Sequence, residues 1–159
     1  MPTIELKTII NAPIERCFLL SLSVDLHQLS TKETNEIAIA GVTSGLMKLN
    51  EVVTWRAKHF GRYQNLTSKI SDYNFPNFFV SEMVKGAFKK LHHQHRFERK
   101  DNLTIMTDIF YFEAPLGIAG ELFSKLILKN YMKGFLEKRN DTIKEVAEGT
   151  EWKKLLNEQ

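Results

Sequence analysis

Histidine is the side chain in this sequence best suited to moving protons or binding metal near neutral pH. Three of the five histidines stand together as His92, His93 and His95. On a strand, side chains alternate, so His93 and His95 share one face and His92 points away. Two imidazoles at that spacing fit zinc geometry, but a site needs a third or fourth ligand. His59 or Asp108 would supply one if its strand lay alongside. The spacing is unspecific, and neither a metal nor any other cofactor is expected. The alternative has His95 hydrogen-bonded within the sheet and His92 facing water.

A second constellation pairs His95 with Asp108. The polar run Lys100-Asp101-Asn102 is a hairpin turn signal. If Asp101 and Asn102 form the turn, Lys100 faces Leu103, and counting outward sets His95 opposite Asp108. The carboxylate would raise the imidazole pKa and fix its tautomer. His95 and Asp108 are thus the catalytic candidates, a general-base pair for a cyclase, dehydratase or hydrolase. A pair that closes the sheet or orients a ligand is favoured, because no nucleophile or oxyanion donor is identifiable from the sequence. A slip of one residue in the turn would separate the two side chains.

These residues must be positioned by a run of strands. Thr3–Ile10 alternates and reads as a strand, and Asn11-Ala12-Pro13 breaks it. A short helix follows, with Asn11 or Ala12 at its cap, Pro13 in its first turn, and Ile14, Cys17, Phe18 and Ser21 on one face. A second covers about Val24 to Leu29. Strands are expected over Glu33–Ala40, Glu51–Phe60, Tyr63–Tyr73, Phe78–Lys85, Lys89–Arg99 and Leu103–Glu113. In Glu51–Phe60, Val53, Trp55, Ala57 and His59 form the inner set, while Arg56 and Lys58 face solvent. Glu82 and Arg96 are expected to pair across strands. From Pro115 to Ala147, apolar residues recur at spacings of three and four, the mark of one long amphipathic helix. Gly117, Gly120 and Gly134 are its weak points.

Composition narrows the function classes. A chain of 159 residues, 43% hydrophobic and 26% charged, fits one soluble domain with a substantial core. We read residues 1–147 as that domain and 148–159 as a polar tail, either frayed or adding a docking turn. The net charge of +3 is too small for a nucleic-acid binder. The single cysteine, Cys17, excludes an internal disulfide and sits in an apolar stretch where an inert buried thiol is expected. No signal peptide is visible, and no apolar run is long enough for stable membrane insertion. A cytoplasmic location follows as the expectation.

Several ordered motifs carry a resemblance. Ile10-Asn11-Ala12-Pro13 followed by Cys17-Phe18 resembles the strand-to-helix junction of START-like, Bet v 1-like (helix-grip) proteins. Trp55-Arg56-Ala57-Lys58-His59-Phe60-Gly61, Met83-Val84-Lys85-Gly86-Ala87-Phe88, His93-Gln94-His95-Arg96-Phe97, Met106-Thr107-Asp108 and Ala114-Pro115-Leu116-Gly117 are similar to a bacterial ligand-binding SRPBCC subfamily. Some of its members carry a cell-division-inhibitor label. The resemblance covers the chain to about Ala147. It implies an α+β helix-grip fold: a seven-stranded antiparallel sheet wrapped around a long C-terminal helix, with two short helices after the first strand. It also implies a pocket for an apolar or amphipathic molecule.

The resulting expectation is a small protein that holds a hydrophobic small molecule, a lipid, polyketide or similar, in an internal cavity. Trp55, His59, Met83, His95, Phe97, Asp108 and Phe110 are the ligand-binding candidates from the sheet, and Phe123, Leu126 and Ile127 from the helix. Trp55 would give apolar wall, and His59, His95 and Asp108 would set orientation. The rivals are an enzyme using the His95–Asp108 pair and a regulatory module with an unknown protein partner.

Overall fold

The computed structural model describes residues 2–114 and 127–157. Its sheet has seven antiparallel strands in the order β1-β7-β6-β5-β4-β3-β2. They are β1 (Thr3–Ile10), β2 (Ile37–Gly41), β3 (Val52–His59), β4 (Arg62–Asn74), β5 (Phe78–Lys85), β6 (Lys90–Lys100) and β7 (Leu103–Glu113). Each strand from β3 to β7 pairs with its sequence neighbour, as expected when short turns join them. Helices α1 (Ile14–Ser21) and α2 (Val24–Ser30) follow β1, and α3 (Lys129–Glu148) packs against β1, α1 and α2. A short final helix, α4 (Trp152–Asn157), sets Trp152, Leu155 and Leu156 on the core. This is the α+β helix-grip architecture.

The strands obey the pleat. Along β7, Thr104, Met106, Asp108, Phe110 and Phe112 are buried, and along β6, Leu91, His93, His95 and Phe97 are. The inner face of α3 carries Met132, Leu136, Arg139, Asn140, Ile143, Val146 and Ala147. The apolar members divide into two clusters. One gathers Ile10, Phe18, Leu20, Met106, Phe97, Ile143 and Val146 under α1 and α2. The other gathers Ile4, Leu91, Phe110, Phe112, Met132 and Leu136 at the opposite end. Phe18, fully buried, anchors the first, with Tyr73, Phe75, Phe79 and Phe97 edge-on at centroid distances of 5.2 to 5.4 Å.

Some local expectations shift. Residues 33–36 do not extend the second strand. Lys32–Thr34 make a turn of 3₁₀ helix, and Asn35 adopts a left-handed φ of 52° before β2 begins at Ile37. Pro13 itself occupies the cap of α1, so the helix starts one residue later than its sequence signal. Ser23 caps α2 by accepting a hydrogen bond from the Leu26 amide. Glu82 lies opposite His92 and Phe78 opposite Arg96, so the Glu82–Arg96 pair does not form. The expected helical residues 115–126 lie outside the described residues.

A candidate ligand cavity above a buried polar layer

Between the two apolar clusters, three elements each place polar residues at core positions: His93 and His95 on β6, Asp108 on β7, Arg139 and Asn140 on α3. All five are buried, and Asp108 is 0% exposed. Lys100 does face Leu103, and His95 is registered opposite Asp108. The stronger contact nevertheless comes from the diagonal neighbour. His93 Nε2 lies 2.8 Å from Asp108 Oδ1 in a hydrogen bond. His95 Nδ1 lies 3.0 Å from the same oxygen but has no aligned hydrogen bond. Asn140 Nδ2 donates to Oδ2 at 2.6 Å, and an Arg139 terminal nitrogen stands 3.6 Å from Oδ1.

The electrostatics follow from this crowding. Burial pushes the Asp108 carboxyl up, but the hydrogen bond from His93 and the close polar contact of His95 outweigh it and hold the group well below the usual carboxylate range. Burial also lowers His93, against the pull of Asp108, and lowers His95 strongly, with His93 adding to the effect. From the sequence alone, the carboxylate is expected to raise the imidazole pKa. Desolvation wins because both rings are enclosed. Burial pulls Arg139 down while Asp108 supports it, and a guanidinium keeps its proton. The layer therefore holds one carboxylate, one guanidinium and two neutral imidazoles. An ionised carboxylate only accepts, so His93 carries its hydrogen on Nε2. The two histidine rings lie tilted against each other with centroids 3.7 Å apart, and His95 stacks on Phe79 at 4.2 Å.

A cavity of about 340 Å³ opens on one side of this layer. Trp55, Ala57, Leu66, Phe110, Met132 and Leu136 give it apolar walls, with His93 and Arg139 at its polar end. A smaller chamber of about 100 Å³ lies on the other side, bordered by His95, Ser21, Ser23 and Phe79. Six residues border both: His27, Trp55, Ser68, Ser81, His93 and Arg139. A second polar group joins the sheet side to α3. His59 Nδ1 and the Tyr131 hydroxyl are 2.6 Å apart, and Glu36 contacts both His27 and His59. Burial lowers His59 against the pull of Glu36, and burial beside Glu36 raises Tyr131. Phe60, tilted against Tyr131 and 55% exposed, marks where the cavity meets solvent.

Of the residues singled out from the sequence, Trp55, His59 and Phe110 border the large cavity, and His95 borders the small one. Asp108 borders neither and reaches them only through its partners. Phe97 packs in the other apolar cluster beside Phe18, because the polar layer separates it from the cavity. Met83 packs against the cavity-side cluster without lining the void. Ile127 is 52% exposed and does not border the cavity. Phe123 and Leu126 lie outside the described residues. The sequence reading missed Arg139, Asn140, Glu36, His27 and Tyr131. Arg139 and Asn140 had left a signal: they fall on the apolar stripe between Leu136 and Ile143, where the helical period demands core residues.

His93, His95 and Asp108 bring ligand atoms within 4.8 Å of one another, the spacing of a metal site. The donor set fits a cation poorly. Both carboxylate oxygens are engaged, and the Arg139 guanidinium stands where it would repel one.

No family model matches the chain, and no curated protein matches its sequence. Solved structures do match. A Thermus thermophilus protein, TTHA0849, is 16% identical with a TM-score of 0.69, over 89% of this chain and 97% of that one. Major latex-like protein 151 of Panax ginseng is 16% identical with a TM-score of 0.67, over 92% and 97%. A START superfamily protein of Mycobacterium smegmatis is 10% identical with a TM-score of 0.68, over 92% and 97%. Among the described residues no helix is long and apolar enough to cross a membrane. The sheet order, the helix laid against it and these likenesses together give this chain the START-like, Bet v 1-like fold.

Proposed function

We propose that this chain binds a hydrophobic or amphipathic small molecule, a lipid, a polyketide or similar, in the cavity between the sheet and α3. The observation that carries the reading is the void itself: about 340 Å³, with mostly apolar walls and a minority of polar groups, His93 and Arg139 among them. Water leaving such walls favours binding by roughly 25 cal/mol per Å² buried. The reading agrees with the ligand-binding SRPBCC proteins that the sequence resembles, and the cytoplasm is the proposed location. Native mass spectrometry of the purified protein tests for a retained ligand, and titration with Nile red tests the void. Ala57 is buried and borders the cavity. Ala57→Phe should obstruct it and sharply weaken dye binding while the circular dichroism spectrum stays unchanged. Equal dye binding by both proteins, or none by the wild type, would overturn the proposal.

One observation favours an enzyme as the second reading. A guanidinium beside a neutral histidine whose tautomer a carboxylate fixes is an arrangement that supports proton abstraction next to a carbonyl. In that reading His93, which borders the large cavity, is the base in place of His95, and Arg139 steadies the oxyanion. Deuterium exchange of a bound ketone at its α-carbon, lost in His93→Gln, is the expected result. Exchange at the solution rate would dismiss this reading.

A further inference from the structure

Resting on the binding reading above, we infer that the cavity selects an uncharged amphiphile whose polar end carries a hydrogen-bond acceptor beside a donor, as in a hydroxy ketone, over a fatty acid of equal length.

Two groups facing the cavity keep unused hydrogen-bonding capacity. Arg139 and His93 both reach Asp108 Oδ1, and both border the large cavity. Arg139 gives one terminal nitrogen to Asn140 Oδ1 at 3.1 Å and the other, at 3.4 Å, to the Ser21 carbonyl. Its Nε–H has no partner among the described residues. His93 spends its single N–H on Asp108, which leaves Nδ1 as an acceptor with no partner among the described residues. A ligand acceptor on Arg139 and a ligand donor on His93 would satisfy both.

Charge supplies the discrimination. Asp108 and Arg139 cancel, and the histidines are neutral. A carboxylate entering the void would add one negative charge with no free cation to meet it. Glu36, also buried, borders the same cavity. No lysine borders it among the described residues. A desolvated, unpaired carboxylate is strongly disfavoured, whereas a carbonyl and a hydroxyl need only their hydrogen bonds.

The test uses the full chain and displacement of Nile red by three decyl compounds of one length: the α-hydroxy ketone, the parent ketone and decanoate, at mildly alkaline pH. The hydroxy ketone should displace the dye at a concentration roughly tenfold below that of the parent ketone, and further below that of decanoate. Arg139→Lys keeps the positive charge but loses the planar fork, and should shrink the first gap to about threefold or less. If that variant does not fold, the wild-type series decides alone. Decanoate displacing as well as the hydroxy ketone would overturn the inference while leaving the binding reading intact. Failure of Nile red itself to bind would remove both.

Discussion

Replacing Asp108 by Asn is the most informative single change this molecule offers. The side chain keeps its volume, so the effect reports charge and hydrogen bonding. Arg139, itself buried, loses its only carboxylate neighbour among the described residues. One edge of the new amide must present an NH₂ group, either to the Asn140 Nδ2 donor or to the His93 Nε2 donor. Turning Asn140 over to meet it would sacrifice the bond that Arg139 now gives to Asn140 Oδ1. Breaking a buried ion pair from one side typically costs about 3–5 kcal/mol. For a chain of this size that lowers Tm by about 10 °C. Urea unfolding followed by circular dichroism measures the loss. The double variant Asp108→Asn with Arg139→Met removes both charges and should be more stable than Asp108→Asn alone. A loss below about 1 kcal/mol in the single variant, or simple additivity in the double, would refute the claim that this pair organises the layer.

Two further outcomes follow from the same core. Folding holds His93 and His95 neutral below the ordinary histidine range, so the unfolded chain binds more protons as pH falls through about 6.5. Stability should be full above that value and decline below it by up to about 1.4 kcal/mol per pH unit for each histidine, His59 acting in the same direction. The contribution of Asp108, whose folded pKa is depressed, should persist above about pH 3.9 and vanish only as pH drops towards its folded value. Urea midpoints that stay level between about pH 7 and pH 5 would contradict this assignment of charges. Phe18→Ala should cost about 3–5 kcal/mol, because the ring is fully buried among four others. Nile red affinity should hardly change in that variant wherever it remains folded, since Phe18 sits across the polar layer from the cavity, and a large change would show that the two ends are coupled.

The fold was largely legible because the period-two alternation of β7 and the turn at Asp101-Asn102 are local signals. They set His95 against Asp108 in the register observed. The site was legible only in part. The hydrogen bond that fixes Asp108 comes from His93, one pleat along, and the choice between the two rings depends on side-chain direction, which register does not specify. Arg139 and Asn140 enter from α3, about thirty residues from Asp108 in sequence, and no spacing rule reports that approach. Phe97 shows the limit of face assignment. It points inward like His93 and His95, yet the pleat alone does not reveal that a polar stratum divides the interior.

That division has an evolutionary consequence. The aromatic knot under the two short helices is completed without the hollow end, so the hollow end has no need to be well filled for the chain to hold its shape. Substitutions at half-buried wall positions such as Leu66 or Gln64 should therefore alter which guest is accepted at little cost to the scaffold. The Arg139–Asp108 stratum marks the boundary: lineages would be free to vary on its hollow side and held conservative on the packed one.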